Sequence, residues 1–493
     1  MACAFVAACG STVQVSSQSV GGGLQPGQAA LGSVPGSGAS AGSAQPNATG
    51  VTGAGSTATS ISQAGAGGAA PSTPGAQVHP AKAPAAGTKL APIQVGIMLF
   101  PDLNQFAGEF GGTADAGNQS VEVDTAVKWV NQHGGAAGHQ IVVVKHNVSL
   151  TSNETYDQLA QEACQDFTVD HHVVAVITPG TAVSDNFAAC LQRRGVLYLS
   201  SGIWMHDVVD WKQYPNMYGT AETDARGVGQ AMVDQVLKRH LAARGGSVGL
   251  MVMEEPGGVR AADAVVKPQL KAAGIDVVEY TVPAPASTPD ISNSVAIDDS
   301  AELKMASQGI KTVLFLCPGC LSFFAKNADS QHYYPTYVGS TYDTPSGIND
   351  TTYDTTMKSA IMIGYQPDHD VGVFTHPSEL RDNPTRRLCR GIMKPSGQST
   401  GDLSEFAVQV ICDGFLEVMY SAQLDPANPL TGPALQIGMG LFGTQRPSAM
   451  DFATELTPSH HGGATQYRLM HWDAGSHLFA YDGETRLTFR RFS

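Results

Sequence analysis

The chain has 493 residues, with 28 basic and 43 acidic side chains and a formal net charge of −15 at pH 7. This balance argues against a nucleic-acid partner, because phosphate backbones attract clustered lysine and arginine, and against an electrostatic membrane patch. The length exceeds what one hydrophobic core usually supports, so we expect two lobes.

The N-terminus predicts a lipid anchor. Small residues precede Cys9 in the sequence VAAC at 6–9, which resembles a bacterial lipobox, where such a cysteine receives diacylglycerol. Only eight residues stand before Cys9, without a basic region or a full apolar region, so we expect a truncated signal segment at 1–9 or a start further upstream. A chance run of small residues with a free cysteine is the alternative.

Residues 10–90 predict a disordered tether of Gly, Ala, Ser and Pro. Its only charged side chains are Lys82 and Lys89, and it has no aromatic residue. Such a segment cannot bury enough apolar surface to offset the entropy of ordering. It predicts a flexible spacer that holds a globular part away from a membrane, and a secretory tail without an anchoring role is the alternative. No later apolar run reaches the length that spans a bilayer.

From residue 91, short apolar strands alternate with longer amphipathic segments, which is typical of parallel α/β architecture. The segment after the first strand, 101–106, is predicted as a loop. The first half predicts a doubly wound, Rossmann-like sheet, with strands at 93–100, 140–144, 173–177 and 196–199 and helices at 121–132, 154–165 and 184–193.

The cycle restarts after the sequence MYGT at 217–220. Strands are predicted at 247–253, 276–280, 312–316, 336–338 and 360–364, and helices at 224–241, 258–273, 299–307, 321–329, 378–389, 403–421 and 433–439. The alternating segment 467–481 predicts a terminal hairpin with its turn at 473–475.

Besides Cys3 and Cys9, six cysteines remain, and an even number in an exported chain favours disulfides. Fifteen connectivities are possible in principle. Proximity in the sequence suggests three pairs, Cys164 with Cys190, Cys317 with Cys320, and Cys389 with Cys412.

Four segments together resemble a known family. They are the turn NQHGGAAGHQIVVV at 131–144, the strand and loop VVAVITPG at 173–180, the strand GVLYLSS at 195–201, and YGT at 218–220 followed by Asp224 and Gly227. In their order and spacing they resemble the type I periplasmic binding proteins of the branched-chain amino acid (Leu/Ile/Val) class, which are ABC transporter substrate-binding lipoproteins. The resemblance covers about residues 91–493.

The resemblance implies two α/β lobes joined by three crossovers, with a small polar ligand between them. The expected first lobe is 91–219 with 345–442, and the expected second lobe is 220–344 with 443–493. Thr220 and Tyr342 would then lie at the first two crossovers.

Ligands of open α/β sheets lie beyond the carboxyl ends of the strands. In the first lobe this predicts a site from Gln105, Phe106, Gly180, Thr181, Ser200, Ser201, Ile203 and Trp204, with Tyr218 at the first crossover. By resemblance, Gly180, Thr181, Ser201 and Ile203 would hold the carboxylate of an amino acid. The alternatives are that the hydroxyls cap helices and that Trp204 belongs to the core.

The second lobe would need an acid for the ammonium group of an amino acid. Candidates are Glu254 and Glu255, with Glu254 the residue assigned to the site, and Tyr342 with Asp343 in a later loop. Glutamate departs from the aspartate or tyrosine that the family more often has in the first of these loops. Surface solvation is the alternative for either glutamate.

Enzymatic motifs are weak in this chain. The sequence CPGC at 317–320 follows a strand and opens a helix, as in a thioredoxin-like redox pair, but a local disulfide is preferred. His460, His461, His471 and His477 match no zinc-binding spacing, and there is no P-loop, nucleophile elbow or HExxH sequence. We therefore expect a non-enzyme without a metal or cofactor.

These observations together predict an exported lipoprotein at the cell surface or in the periplasm. It would capture an amino acid or related small polar metabolite between two lobes and deliver it to an ABC permease. A sensory or cell-envelope interaction protein with the same fold is the alternative.

Overall fold

The computed structural model describes residues 90–109, 117–178, 185–202, 204–371, 383–394 and 402–492. Cys9 and the predicted tether up to residue 89 lie outside the described residues. The predicted site residues Gly180, Thr181 and Ile203 lie outside them as well.

Most strands are short apolar runs whose side chains are buried on both faces. In the described part they are β1 (Ile93–Leu99), β2 (Ile141–Asn147), β3 (Ala175–Thr178), β4 (Leu197–Ser200), β5 (Met217–Gly219), β6 (Ser247–Met253), β7 (Asp276–Val282), β8 (Thr312–Leu316), β9 (Thr336–Ser340), β10 (Ile361–Gly364), β11 (Gln466–Asp473), β12 (Leu478–Tyr481) and β13 (Leu487–Thr488).

The helices between them commonly begin at a capping side chain, such as Thr155, Asp207 or Asp224, which satisfies free N–H groups of the first turn. In the described part they are α1 (Leu103–Glu109), α2 (Gln119–Gln132), α3 (Tyr156–Gln165), α4 (Asp185–Arg193), α5 (Val208–Gln213), α6 (Ala225–Lys238), α7 (Pro256–Ala261), α8 (Lys267–Ala272), α9 (Ile291–Ser307), α10 (Cys320–Ser330), α11 (Pro367–Asp370), α12 (Pro384–Met393), α13 (Asp402–Leu424) and α14 (Gly432–Gly440).

The first sheet is parallel throughout, in the order β2-β1-β3-β4-β5. One face packs against α2, α12, α13 and α14. The other face packs against α3, α4 and α5. Alternate residues of β1 show the division, because Val95 and Ile97 join the first core and Met98 joins the second. The predicted doubly wound lobe is confirmed.

The second sheet has the order β12-β11-β10-β9-β8-β6-β7, with β13 beside β11. Its strands β6 to β10 are parallel, and the terminal hairpin β11–β12 adds antiparallel strands next to β10. The predicted hairpin is therefore confirmed. We refer to the bodies built on the two sheets as the first lobe and the second lobe.

The lobe boundary near β10 differs from the prediction. Strand β10 pairs in parallel with β9, Ile361 opposite Val338, so it belongs to the second sheet. The assignment of 345–442 wholly to the first lobe is therefore wrong for this strand. The chain returns to the first lobe between β10 and α12, which packs in the first core, so Tyr342 does not lie at a crossover.

The connections between the lobes are tied together. The main-chain N–H of Gly219 donates to His461 at 3.0 Å, and that of Gly463 donates to Gly219 at 2.8 Å. Gln366, just after β10, donates from Nε2 to the carbonyl oxygen of Ala221 at 2.7 Å. A Cβ at Gly463 would lie 2.0 Å from the carbonyl oxygen of Thr220, so this close approach needs glycine.

Some elements were missed in the sequence. Residues 103–109 form α1 rather than a loop, and α9 begins at Ile291 rather than at 299. The first half of α9, ISNSVAIDD, is too polar to show a clear apolar stripe, which is the signal that sequence analysis of helices relies on. Among the described helices, none is long and apolar enough to cross a membrane.

The six cysteines approach in the predicted pairs, with their sulfur atoms within bonding distance. The Cα atoms are 6.4 Å apart for Cys164 and Cys190, between α3 and α4. They are 5.7 Å apart for Cys389 and Cys412, between α12 and α13. The third pair, Cys317 and Cys320, lies between β8 and α10 at 5.5 Å. Each pair lies within one lobe.

Candidate functional site

A cavity of about 400 Å³ lies between the lobes. Its walls come from loops and helix starts that follow the carboxyl ends of strands in both sheets, where open α/β folds bind ligands. We call it the main cavity. The first lobe contributes four side chains to it, Phe106, Leu150, Tyr156 and Trp204.

The main cavity is mostly apolar. The second lobe lines it chiefly with aliphatic and aromatic side chains from the loop after β6, from α9 and α10, and from the segment after β9. They include Met253, Ile291, Val295, Phe323, Ile348 and Tyr353. A cavity of this size and character suits a ligand with a substantial apolar body and few polar groups.

A second cavity of about 310 Å³ adjoins the first. Tyr156, Trp204, Glu255 and Pro285 line both. We call it the acidic cavity, because several acids stand in its walls, namely Asp157, Asp185, Asp210, Glu254 and Glu255. Together the two cavities offer an apolar chamber beside a strongly polar one.

Glu255 stands where the two cavities meet. It is only 8% exposed, and burial raises the pKa of its carboxyl to about 7, although His206 acts to lower that pKa. Its Oε2 accepts a long hydrogen bond from the N–H of Met205, at 3.4 Å. Among the described residues, Oε1 has no hydrogen-bond partner.

Two further acids stand in the wall of the main cavity. Asp343 accepts hydrogen bonds from the N–H groups of Ser340 and Leu321, yet burial raises its pKa to about 8. Asp298, from the middle of α9, is 1% exposed, and burial together with nearby Asp299 and Asp343 raises its pKa well above the usual range. Within the described chain, neither carboxyl oxygen of Asp298 has a partner in hydrogen-bond geometry. The main chain of Phe324 acts to lower the pKa of Asp298, but by less than burial raises it.

The lobes touch along one side of the cavities. Arg260 of α7 forms ion pairs across the gap, 2.8 Å from Asp207 and 2.5 Å from Asp210. The N–H of Tyr156 donates to the carbonyl oxygen of Ala286 at 2.8 Å. These contacts hold the lobes in a closed arrangement around the cavities.

Comparison with known proteins agrees with this geometry. Residues 103–346 match the family described as "Periplasmic binding protein". No curated protein sequence matches the chain at a significant level. A substrate-binding protein of an ABC transporter from Aeropyrum pernix has the same fold, with a TM-score of 0.59 at 13% identity, over 81% of this chain and 96% of that one. The chain has the type I periplasmic-binding-protein fold.

Two other solved structures of this fold differ in what they are described as binding. One is a fatty acid ABC transporter substrate-binding protein from Thermomonospora curvata, with a TM-score of 0.54 and 14% identity over 82% of this chain and 95% of that one. The other is a branched-chain amino acid ABC transporter protein from Thermus thermophilus with bound valine, with a TM-score of 0.54 and 13% identity over 81% and 97%. This chain resembles such transporter proteins, and the shared fold leaves the ligand open.

Four of the predicted ligand residues line the cavities of this type I fold. Phe106, Trp204 and Asp343 line the main cavity, and Trp204 also lines the acidic one. Glu254 lines only the acidic cavity. The indole Nε1 of Trp204 is buried, and no group in the described residues accepts a hydrogen bond from it.

The predicted hydroxyls at the end of β4 are turned away from the cavities. Ser200 donates to Oε1 of Glu222 at 2.5 Å, and Ser201 donates to the carbonyl oxygen of Thr178 at 2.8 Å. Both are buried inside the first lobe. We therefore correct the prediction that they contact the ligand, since their hydroxyls are engaged in internal hydrogen bonds.

The predicted tyrosines are also structural. Tyr218 stacks on His461, with ring centroids 4.1 Å apart, and its hydroxyl donates to Gln436. Tyr342 is 1% exposed and its hydroxyl donates to the carbonyl oxygen of Thr223 near the first crossover. Neither side chain is in the wall of either cavity. Gln105 is exposed on α1 and outside the walls as well, so these three assignments are corrected too.

Several residues of the site were not predicted from the sequence. Leu150 and Tyr156 follow β2, whose carboxyl end could have been searched as the other strand ends were. Glu255 was a candidate but was not assigned, because sequence cannot distinguish it from its exposed neighbour Glu254. Asp298 lies in the middle of a helix, and no local pattern indicates that it faces a cavity.

The CPGC sequence and the C-terminal histidines, which were weighed as redox or metal motifs, have structural contacts in this fold. Cys320 stands in the wall of the main cavity, opposite the first lobe. His461 contacts the main-chain oxygens of Met217 and Pro458. In the described part of the chain, no group of three or more His, Cys, Asp or Glu side chains is arranged to hold a metal ion.

Proposed function

We propose that this protein is an extracytoplasmic solute-binding protein that holds a small molecule between its lobes and delivers it to an ABC permease. The observation that carries the proposal is the main cavity, which both lobes line at the carboxyl ends of their sheets. A ligand there contacts both lobes at once and so favours their closed arrangement.

The size and lining of the main cavity favour a ligand with a large apolar part over a small, wholly polar metabolite. Apolar and aromatic side chains dominate its walls, and Ser200 and Ser201 are not available as donors to an amino-acid carboxylate. The solved relatives are described as transporting fatty acids in one case and as holding valine in another. We therefore propose that an aromatic or branched apolar group fills the chamber beside Trp204 and Phe106.

The tether, the lipid at Cys9 and the three disulfides complete the proposal. A lipid-anchored receptor on a flexible tether stays near its permease while its lobes open and close. Disulfides at the three cysteine pairs would stiffen each lobe and leave the crossovers free, because each pair lies within one lobe.

The experiment is a ligand screen on the purified full chain after unfolding and refolding to remove bound metabolites. A ligand that binds only the folded form raises its melting temperature. We expect a hit with an apolar or aromatic body, and we expect small-angle scattering to show a more compact protein when that ligand is bound.

Two tryptophan variants test whether the ligand binds in the cavities beside Trp204. Trp204→Ala should weaken binding at least tenfold, since it removes a wall of both cavities. Trp129→Ala is the matched control, because Trp129 of α2 is also partly buried but stacks on His133, just after that helix. No hit across a broad panel, and no metabolite released from the native protein, would contradict transport and favour a sensory or cell-envelope interaction role.

A further inference from the structure

The walls between the lobes hold buried carboxyl groups whose oxygens are short of hydrogen-bond partners. Glu255 is 8% exposed and Asp298 is 1% exposed, and in the described residues three of their four carboxyl oxygens have no hydrogen-bond partner. A buried acid with unsatisfied oxygens is costly, and a bound ligand that donates hydrogen bonds to those oxygens would recover part of that cost.

We infer that the ligand of this site is an organic cation, with a protonated amine beside an apolar or aromatic body and no carboxylate of its own. This inference rests on the proposed solute-binding function and names its ligand class. Glu255 and Asp298 are the acids that receive the positive charge.

The balance of charge around the cavities favours a cation. The acids in the walls are Asp157, Asp185, Asp210, Glu254, Glu255, Asp298 and Asp343. Lys326 and His206 are the basic side chains among the described wall residues. His206 lies 2.8 Å from Glu222, and exposed Lys326 lies over the ring of Tyr353 at 5.9 Å. Neither neutralises the excess of acid, and in the described ion pairs Arg260, which stands outside the walls, offsets only Asp210 among these acids.

The buried acids have further acidic neighbours. Asp185 and Asp210 face Glu255, with His206 as the opposing charge. Asp299, Asp343 and Glu302 face Asp298. Repulsion among these groups hinders their ionisation, and a bound ammonium group would relieve it. A ligand carboxylate would add to the repulsion instead.

The aromatic walls suit the rest of such a ligand. Phe106, Tyr156 and Trp204 from the first lobe meet Phe323 and Tyr353 from the second at the main cavity. Aromatic faces attract ammonium groups and pack against flat apolar bodies. The unpartnered indole N–H of Trp204 adds a donor for any polar atom on that body.

The test compares four indole compounds with the same ring and different side chains: tryptamine, L-tryptophan, indole-3-propionate and indole-3-ethanol. Octylamine and octanoate form a second, aliphatic pair. Calorimetry on the refolded full chain should give at least about tenfold tighter binding for each amine than for its neutral or anionic partner, as a charge-assisted hydrogen bond predicts. L-Tryptophan should bind more weakly than tryptamine, because it carries a carboxylate.

Variants of the two acids test whether they bind the ammonium group of the ligand. Glu255→Gln and Asp298→Asn should each weaken amine binding at least tenfold and should leave the unliganded protein as stable as before or more stable, since each removes an unpaired buried acid. A purely structural role would instead lower the melting temperature. Asp276→Asn, which loses the same charge at an exposed position of the second lobe outside the walls, is the matched control and should bind amines normally.

The outcomes separate this inference from the proposed function. Equal or tighter binding of tryptophan, indole-3-propionate or octanoate than of the amines overturns the cation and keeps the solute receptor. Failure of both amines to bind at millimolar concentration overturns the cation as well. If neither these compounds nor any compound of the ligand screen binds, both the cationic ligand and the solute-binding function are overturned.

Discussion

Glu255 shows how one buried side chain gives the whole protein a dependence on pH. Its pKa is about 7 in the folded protein, against an ordinary value of 4.5. The folded protein therefore retains a proton that the unfolded chain has lost, and the contribution of this group to the free energy of unfolding falls as pH rises from about 4.5 to about 7.

Glu255→Gln should remove the contribution of this side chain to the pH dependence of stability. At pH 8 the variant should be more stable than the wild type by on the order of 3 kcal/mol, the free energy that corresponds to the rise in pKa from 4.5 to about 7. Urea unfolding at pH 4.5, 6 and 8 measures the effect. Asp185, Asp210 and His206 are unchanged in both proteins, and Glu254→Gln, which removes an exposed neighbouring acid, is the control. A stability difference that is independent of pH would contradict the prediction.

Ser200 was predicted to contact the ligand, but its side chain has a structural role. Its hydroxyl donates to the buried carboxylate of Glu222, which also lies beside His206. Ser200→Ala should lower the free energy of unfolding by about 1–3 kcal/mol, because it leaves a buried acceptor short of a donor, and should leave ligand affinity unchanged.

Chemical unfolding and calorimetry separate the two effects for Ser200. Ser149→Ala serves as the comparison, because its hydroxyl donates to Asp102 at an exposed position and its loss should cost less. Weakened ligand binding with unchanged stability in Ser200→Ala would restore the residue to the site.

At the scale of elements, the contact between α5 and α7 holds the lobes together. Arg260 is the link, and its partners Asp207 and Asp210 also cap the start of α5. Arg260→Ala should shift the unliganded protein toward an open arrangement and weaken ligand binding about tenfold, the effect of roughly 1.4 kcal/mol on the open-closed equilibrium.

Small-angle scattering of the unliganded protein and calorimetry with a ligand from the screen test the role of Arg260. Arg239→Ala is the control, since Arg239 pairs with Asp482 within the second lobe. The same radius of gyration and the same affinity in Arg260→Ala as in the wild type would show that this ion pair does not contribute to closure.

At the scale of the whole molecule, the proposed lipid anchor determines where the protein works. Cys9→Ser should move the protein from the membrane fraction to the soluble fraction of a bacterial host that processes lipoproteins, provided that a complete signal segment precedes it. Cys3→Ser is the matched control, because Cys3 lies before the lipobox-like sequence. Fractionation and mass spectrometry of the mature N-terminus measure the result, and retention of Cys9→Ser at the membrane would contradict the anchor.

The class of fold and most of the elements could be predicted from local patterns in the sequence. Strands such as β6 and β8 begin and end where they were predicted, because their signal is local: a short apolar run between a polar turn and an amphipathic helix. The terminal hairpin was equally visible, since alternation and a turn sequence lie within one short segment.

Which side chains face the cavities depends on the tertiary structure. Ser200, Ser201 and Trp204 lie within five residues of each other, yet the hydroxyls turn into the first lobe and the indole turns toward the cavities. Asp298 lies in the wall only because α9 packs beside α10 and the segment after β9. Such placements depend on contacts between elements far apart in the chain, and a local sequence pattern carries no information about those contacts.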